Sequence, residues 1–357
     1  MISGKNKTYV IAEAGVNHNG SQKLAKLLIK KAKSAGASCI KFQLYKSDLL
    51  VTKSSKLAQY QRKNSKTERS QYELISKYEL SKKFLTNLIN FSKQKKIDFM
   101  VSIFDEQSLD LINLLNYSNF IKIPSGEITN YFLLKKINLK KNKVIISTGM
   151  SNYKEIVNAI NVVSGKIIYR LKNNKIFIEN QKFLNKIKKK IILMHCITDY
   201  PAKFKYSNLR IIDKMKNDFQ LEVGFSDHSK GTEVSVASIY AGANIIEKHF
   251  TLNKKLKGPD HIASLDPNEL RILIRKINFA NEILGSNKKK MQICEKKNIN
   301  LVRKYLVAKR EIKKNDKFTL SNLTAKRSSK GISPMQITKI LNKKSNKNYK
   351  IDELIKK

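Results

Sequence analysis

Residues 221–250 read LEVGFSDHSKGTEVSVASIYAGANIIEKHF. Two short apolar runs, LEVGFSD (221–227) and NIIEKHF (244–250), flank a longer stretch, and each delivers a histidine, His228 and His249. Continuous apolar runs rich in β-branched residues mark strands covered on both faces. Six more stand upstream: TYVIAEAG (8–15), CIKFQ (39–43), DFMVSIF (98–104), NFIKIPSG (119–126), KVIISTGM (143–150) and KIILMHC (190–196). Helical patterns separate them. In SQKLAKLLIKKAKSAG, Leu24, Leu27, Leu28 and Ala32 are expected on one face, with Gly36 as the stop. Eight strand–helix units within about 280 residues predict a (β/α)8 TIM barrel. A doubly wound open sheet is the alternative, but its Gly-rich fingerprint is missing, since GVNHNG does not fit GxGxxG.

Two connections are long, 46–78 after the second strand and 165–189 before the sixth, and long loops tend to be functional or mobile. The division expected is a barrel over 1–285, a linker over 286–302 and a small domain over 303–357. The small domain is expected to carry strands in KYLVAKR and FTLSNL and helical ends in SPMQITKIL and IDELI. Near the lower size limit for independent folding, it is expected to lean on the barrel or on a partner chain.

The 357 residues carry 72 Lys and Arg against 28 Asp and Glu, a formal charge of +44. Only nine of the 72 are Arg, the residue favoured for bidentate phosphate and base contacts. The lysines spread over every helix and accompany many Asn and Ile. This favours compositional bias over a specific nucleic-acid role; non-specific sticking at low salt is still expected. No run suits a membrane span, and no apolar leader precedes Glu13. Three separated cysteines, Cys39, Cys196 and Cys294, fit reduced thiols in a cytoplasmic protein.

In a TIM barrel the chemistry sits at the C-terminal strand ends. Those ends present Glu13, Asn17 and His18; Lys41 and Gln43; Ser102; Lys122, Ser125 and Glu127; Ser147 and Thr148; His195, Thr198 and Tyr200; Ser226, Asp227 and His228; Glu247, Lys248 and His249. Such regular delivery of polar groups indicates an enzyme. His228 and His249 end consecutive strands about 4.8 Å apart, so both imidazoles can reach one point. That suits an open Mn²⁺, Mg²⁺ or Co²⁺ site; the competing reading is two histidines satisfied within their loops. Lys41 and Lys122 stand inside apolar strands, where an unpaired charge is costly. They clamp a phosphate or carboxylate, or one forms a Schiff base; the serines around them favour the clamp. Cys196 beside His195 suggests a nucleophile pair, but strand neighbours point to opposite faces. His18 and His261 fall in loops and could be substrate contacts or plain loop residues.

IAEAGVNHNG, IKFQ, IKIPSGEITN, ISTGMS, HCITDYP, GFSDHSKG, IIEKHFTL, GPDHIASLDPNEL and LVAKREIKKNDKFTLSNLTAKRSSKGISPMQ resemble, in order from about residue 8 to 354, the sialic acid synthase family of N-acetylneuraminate, legionaminate and pseudaminate synthases. The resemblance implies a barrel joined to a C-terminal antifreeze-like (SAF) domain. It implies condensation of phosphoenolpyruvate with N-acetylmannosamine to N-acetylneuraminate, with loss of phosphate through C–O cleavage. The alternative within the family is a legionaminate or pseudaminate synthase using a 2,4-diacetamido-6-deoxy hexose. A Schiff-base sugar-acid aldolase is more distant. By the same resemblance, His228 and His249 hold a divalent metal, Mn²⁺ first. Lys41, Ser102, Lys122, Ser125, Ser147, Thr198 and Ser226 match phosphoenolpyruvate positions; Gln43, Tyr200 and Asp260 match sugar positions. Glu13 and Glu127 match active-site carboxylates, Glu13 being assigned to handle the water. Arg327 matches an arginine that reaches the sugar's N-acetyl group in the partner subunit, which implies a domain-swapped homodimer. The chain departs from the family pattern at KRSSKGIS, where KRPG usually precedes GIS, and at SIFD, where STPF is usual. The 165–189 connection is also longer than typical.

Overall fold

The computed structural model describes residues 7–57, 70–115, 117, 120–328 and 330–356. It divides into two compact units, Met1–Gly285 and Ser286–Lys357. In the first, eight parallel strands close into a barrel. They are β1 (Tyr9–Gly15), β2 (Cys39–Leu44), β3 (Asp98–Ile103), β4 (Phe120–Ile123), β5 (Lys143–Ser147), β8 (Ile191–Cys196), β9 (Glu222–Asp227) and β10 (Ile245–His249). Neighbours run in chain order, and β1 pairs with β10 to close the ring. All eight expected strands form, within a few residues of their expected ends; Asn119 lies outside the described residues. β6 (Tyr169–Lys172) and β7 (Lys175–Ile178) make an antiparallel hairpin in the long connection before β8.

Strand alternation sorts the side chains into two shells. Outward, Val10, Ile40, Val101, Ile121, Val144, Leu193, Val223 and Ile246 pack under the helices in the main core. Inward and low, Tyr9, Ile11, Cys39, Met100, Phe120, Ile145, Ile192, Met194 and Ile245 plug the barrel. Gly224 stands where a side chain would strike Met194 Sδ at 2.4 Å and the Ile245 carbonyl at 2.6 Å, so the plug fills that space from its neighbours. One step higher, the inward positions turn polar: Glu13, Lys41, Ser102, Lys122, Ser147, Ser226 and Glu247 are all buried.

The first helix spans Gln22–Ala35; Ser21 caps its start, and Gly36 ends it at φ 98°. Its buried stripe is Ala25, Leu28, Ile29 and Ala32, and Leu27 is exposed, contrary to expectation. Residues 25, 28, 29 and 32 follow the i, i+3, i+4, i+7 spacing, while Leu27 lies about 100° from Leu28 on the helix wheel. In the 46–78 loop, helices form at Ser47–Leu50 and Gln71–Ser76, and residues 58–69 lie outside the described residues.

The second unit pairs β11 (Lys304–Ala308) with β12 (Leu323–Arg327) around Leu306, Ile312, Phe318, Tyr349 and Ile355. Three expectations change here. FTLSNL is mostly turn, with the strand beginning at its last residue. IDELI is not helical: Leu354 bridges to Val307 and the Ile355 amide donates to the Leu306 carbonyl, so the segment extends the small sheet. Residues 286–302, expected as a linker, group with the second unit and include a helix at Lys296–Val302. SPMQITKIL gives a 3-10 helix at Pro334–Lys339. Among the described residues no helix is long and apolar enough to cross a membrane.

The hairpin is anchored by Tyr169, whose hydroxyl donates to the Phe219 carbonyl at 2.5 Å and whose ring meets that of Phe219 at 5.3 Å. Tyr153 reaches the same ring at 5.6 Å. Phe219→Ala would open a cavity shared by both and is expected to cost about 3–5 kcal/mol. Urea unfolding followed by circular dichroism measures it; a loss under 1 kcal/mol would show that the ring is not an anchor.

Candidate active site

The polar layer opens into a cavity of about 330 Å³ at the C-terminal end of the barrel. Its floor holds two ammonium groups and two carboxylates. Lys41 Nζ lies 2.7 Å from Glu13 Oε2 and donates to Ser102 Oγ at 2.7 Å. Lys122 Nζ donates to both oxygens of Glu247 at 2.9 and 2.8 Å, and Ser226 Oγ donates to the same carboxylate at 2.8 Å. Lys41 is also 3.6 Å from Glu247. The anionic partners that two buried lysines require are therefore carboxylates of the chain itself.

The four groups do not share charge equally. Burial would raise the Glu247 pKa, but Lys122 and Lys41 outweigh it and hold this carboxyl ionised, far below its ordinary value. Glu13 moves upward: burial dominates, Lys41 opposes it and Glu247 adds repulsion. Burial would lower Lys41, yet Glu13 and Glu247 hold it above its usual value. Burial lowers Lys122 despite Glu247. Glu247 is thus the more acidic of the two carboxyls and Glu13 the more basic.

Around this floor, Ser125, Ser147 and Thr198 line the wall, with Glu127 beside Ser125. The Gly149 amide donates to Ser125 Oγ at 3.1 Å. A methyl group at Gly149 would meet Thr198 Oγ1 at 2.4 Å, Ser125 Oγ at 2.7 Å and Cys196 Sγ at 2.9 Å, so the close approach requires glycine. Asn130 donates to Glu127 at 2.7 Å, and burial raises the Glu127 pKa. Cys196 faces the cavity while His195 points out to the Ser207 carbonyl at 2.8 Å, so the two do not form a nucleophile pair.

His228 and His249 stand above the floor with ring centroids 5.6 Å apart. His228 Nδ1 lies 2.6 Å from the Ile197 carbonyl. A carbonyl only accepts, so Nδ1 carries the hydrogen and Nε2 keeps its lone pair on the side of Ser226, 3.4 Å away. Tyr200 lies against the His228 ring at 4.2 Å. Burial lowers His228 to about 4 and, with repulsion from His228, puts His249 well below its ordinary value. Both rings are neutral at pH 7. His249 Nδ1 is buried with no partner among the described residues. Two neutral imidazoles, one with an unused buried nitrogen, fit a divalent cation as its only protein ligands. No cluster of three or more His, Cys, Asp or Glu occurs among the described residues, so water or substrate would complete the sphere.

Gly15, at φ +51°, lies where three polar side chains converge: a methyl group there would lie 3.3 Å from Gln43 Nε2, 3.4 Å from Glu13 Oε1 and 3.6 Å from Asp260 Oδ2. Asp260 is buried, and burial with the nearby Glu13 raises its pKa to about 7. An alcove of about 70 Å³ opens here between Gln43, Asp260, Val16, Leu74, Ile75, Tyr78 and Pro259. Gln43 and Ile75 also line the main cavity. His18 and His261 serve their loops. The Gly20 amide donates to His18 Nδ1 at 3.1 Å; His261 Nδ1 and Nε2 face Thr251 and Asn19 at 2.6 and 3.2 Å. Arg327 lies on β12 of the second unit.

Residues 28–289 match the NeuB family, and residues 303–357 match the SAF domain. The chain belongs to the NeuB family. This family comprises metal-dependent synthases that condense phosphoenolpyruvate into nonulosonic acids. The chain is 45% identical over 350 residues to an N,N'-diacetyllegionaminic acid synthase of Campylobacter jejuni, covering 98% of this chain and 99% of that protein. It is 38% identical to one of Legionella pneumophila, covering 93% and 89%. The crystal structure of the N-acetylneuraminic acid synthetase of Leptospira borgpetersenii in complex with citrate superposes with a TM-score of 0.68 at 31% identity, covering 83% of this chain and 91% of that one.

Sequence reasoning brought thirteen of its fifteen site residues to one cavity, with Asp260 at its edge. It assigned no role to Glu247, which ends the same strand as His249. The signal was available: Glu247 precedes His249 by two residues and so shares its face.

Asp260 gives a pH test. Between the ordinary carboxyl value of 3.8 and about 7, the folded chain binds this proton more tightly than the unfolded chain. Stability therefore falls as pH rises through that window. Asp260→Asn should remove this slope, and melting temperatures from pH 4 to 8 should show the two proteins diverging upward from pH 4. Parallel curves would rule out the raised pKa.

Proposed function

We propose that the chain condenses phosphoenolpyruvate with a 2,4-diacetamido-6-deoxy hexose, giving N,N'-diacetyllegionaminic acid and phosphate. The 45% identity over nearly the whole length of a synthase of that name carries the choice of sugar. The alcove beside Gln43 and Asp260 agrees with it, because apolar walls from Val16, Leu74, Ile75 and Pro259 suit the extra methyl groups of such a sugar. The first expectation, N-acetylmannosamine, becomes the secondary reading.

Lys41 and Lys122, with Ser102, Ser125, Ser147, Thr198 and Ser226, hold phosphoenolpyruvate. The two ammonium groups and the hydroxyls around them favour an anionic substrate. A divalent cation on His228 and His249, Mn²⁺ being the first choice, would supply Lewis-acid polarisation of the sugar's aldehyde oxygen. Gln43, Tyr200 and Asp260 orient the open-chain sugar so that C3 of phosphoenolpyruvate attacks the aldehyde carbon. Glu13 gives its proton to the alkoxide as the C–C bond forms. As a carboxylate it then takes a proton from the water adding to C2. The tetrahedral carbon expels phosphate by C–O cleavage. Glu127 borders the phosphate end. Arg327 is assigned to the N-acetyl group in the barrel of a second copy, in a domain-swapped homodimer. A Schiff-base aldolase is disfavoured because Lys122 is held by both oxygens of Glu247.

Phosphate release should be compared with N-acetylmannosamine and with the 2,4-diacetamido-6-deoxy hexose. The expected result is at least a tenfold higher kcat/KM for the diacetamido sugar. His228→Ala and His249→Ala should each lower kcat by at least a thousandfold, as should a chelator. Preference for N-acetylmannosamine restores the neuraminate reading; covalent trapping by borohydride would restore the aldolase.

A further inference from the structure

Positions on the outer face of the barrel wall are occupied by aliphatic and aromatic residues in strand after strand, with few exceptions. Asp227 and Lys248 break that pattern. They are register partners on β9 and β10, and the side chain of each is 1% exposed. Lys248 Nζ donates to Asp227 Oδ2 at 2.8 Å and to the Ser229 carbonyl at 2.5 Å. Asp227 Oδ1 accepts from the Ser229 amide at 2.8 Å and from Ser229 Oγ at 2.6 Å. Ser235 Oγ donates to Asp227 Oδ2. Desolvating both charges is costly, and a buried ion pair is seldom retained for stability alone.

Its location suggests what it does. Asp227 and Ser229 flank His228 on both sides, and Lys248 immediately precedes His249. The pair ties the backbone on each side of one imidazole to the strand that carries the other. Further contacts complete the pinning: the Ala202 amide donates to the His228 carbonyl at 2.9 Å, and His228 Nδ1 is held by Ile197. None of these bonds reaches the lysines on the cavity floor.

We infer that the Asp227–Lys248 ion pair is a positioning device that fixes the separation and aim of the two imidazoles, and so sets affinity for the divalent cation without contributing to the phosphoenolpyruvate subsite. The inference rests on His228 and His249 being the metal ligands. Neither Asp227 nor Lys248 touches substrate in this account; each acts through its neighbouring histidine.

Replacing both partners by apolar groups of similar size (Asp227→Leu with Lys248→Met) removes the pin without leaving an uncompensated charge, a change that folds are known to tolerate. Mn²⁺ affinity is read by electron paramagnetic resonance of the free ion, phosphoenolpyruvate affinity by calorimetry without metal, and folding by melting temperature. The expected result is a melting temperature close to wild type, unchanged phosphoenolpyruvate binding and a Mn²⁺ Kd raised at least tenfold. Ser235→Ala, which deletes one hydrogen bond and no charge, is expected to raise that Kd about threefold and serves if the double variant does not fold. Wild-type Mn²⁺ affinity in whichever of the two variants folds overturns the inference. So does an equal loss of Mn²⁺ and phosphoenolpyruvate binding, the mark of a purely structural role. Failure of the metal reading looks different: His228→Ala would then bind Mn²⁺ as wild type does, or wild type would bind none, and the inference would fall with it.

Discussion

Two ammonium groups and two carboxylates are enclosed in the upper barrel, almost sealed from water, and their mutual attraction constrains everything around them. Neither lysine could stay charged there alone, because desolvation would drive off its proton. Lys122 is gripped by both oxygens of Glu247, and Lys41 bridges Glu13 and Ser102. The strands must hold their register for these four groups to meet. A one-residue slip on β2 or β4 would turn its lysine out into the aliphatic layer. The same arrangement sets the two carboxyls apart. Glu247, with two cations against it, is held far below its ordinary value, whereas burial and the repulsion of Glu247 move Glu13 upward.

The barrel was legible because a short apolar run rich in β-branched residues recurs eight times, with helical patterns between the runs. In β1, β2, β4 and β10 the inward-facing series starts apolar and ends polar, as in Tyr9, Ile11 and Glu13 or Cys39, Lys41 and Gln43. That ordering is visible in the letters themselves. The lysines were legible as misplaced charges, but their partners were not, since Glu247 lies 125 residues from Lys122 along the chain. Only the closing of the ring brings them together. Asp260, reaching in from the loop after β10, and Leu74 and Ile75, from the loop after β2, depend on loop geometry with no periodic signature.

The second unit was less legible for a physical reason. Its segments are short, its core is small and its backbone is satisfied by isolated bridges such as Ile312 with Tyr349 and Lys317 with Lys344. IDELI carries a helical spacing of apolar residues, yet Ile355 and Leu354 are used as edge pairing. Tertiary hydrogen bonding overrode local propensity there, as it often does in small folds.

The plug beneath the cavity makes none of the polar contacts of the floor above it. Tyr9, Ile11, Met100, Phe120, Ile145, Ile192, Met194 and Ile245 fill the lower barrel by volume and shape. Volume-conserving exchanges among such residues are commonly tolerated. An engineer could therefore harden the lower storey against heat and retune the upper one for new sugars as two separate projects, with the step from Ile11 to Glu13 as the border between them.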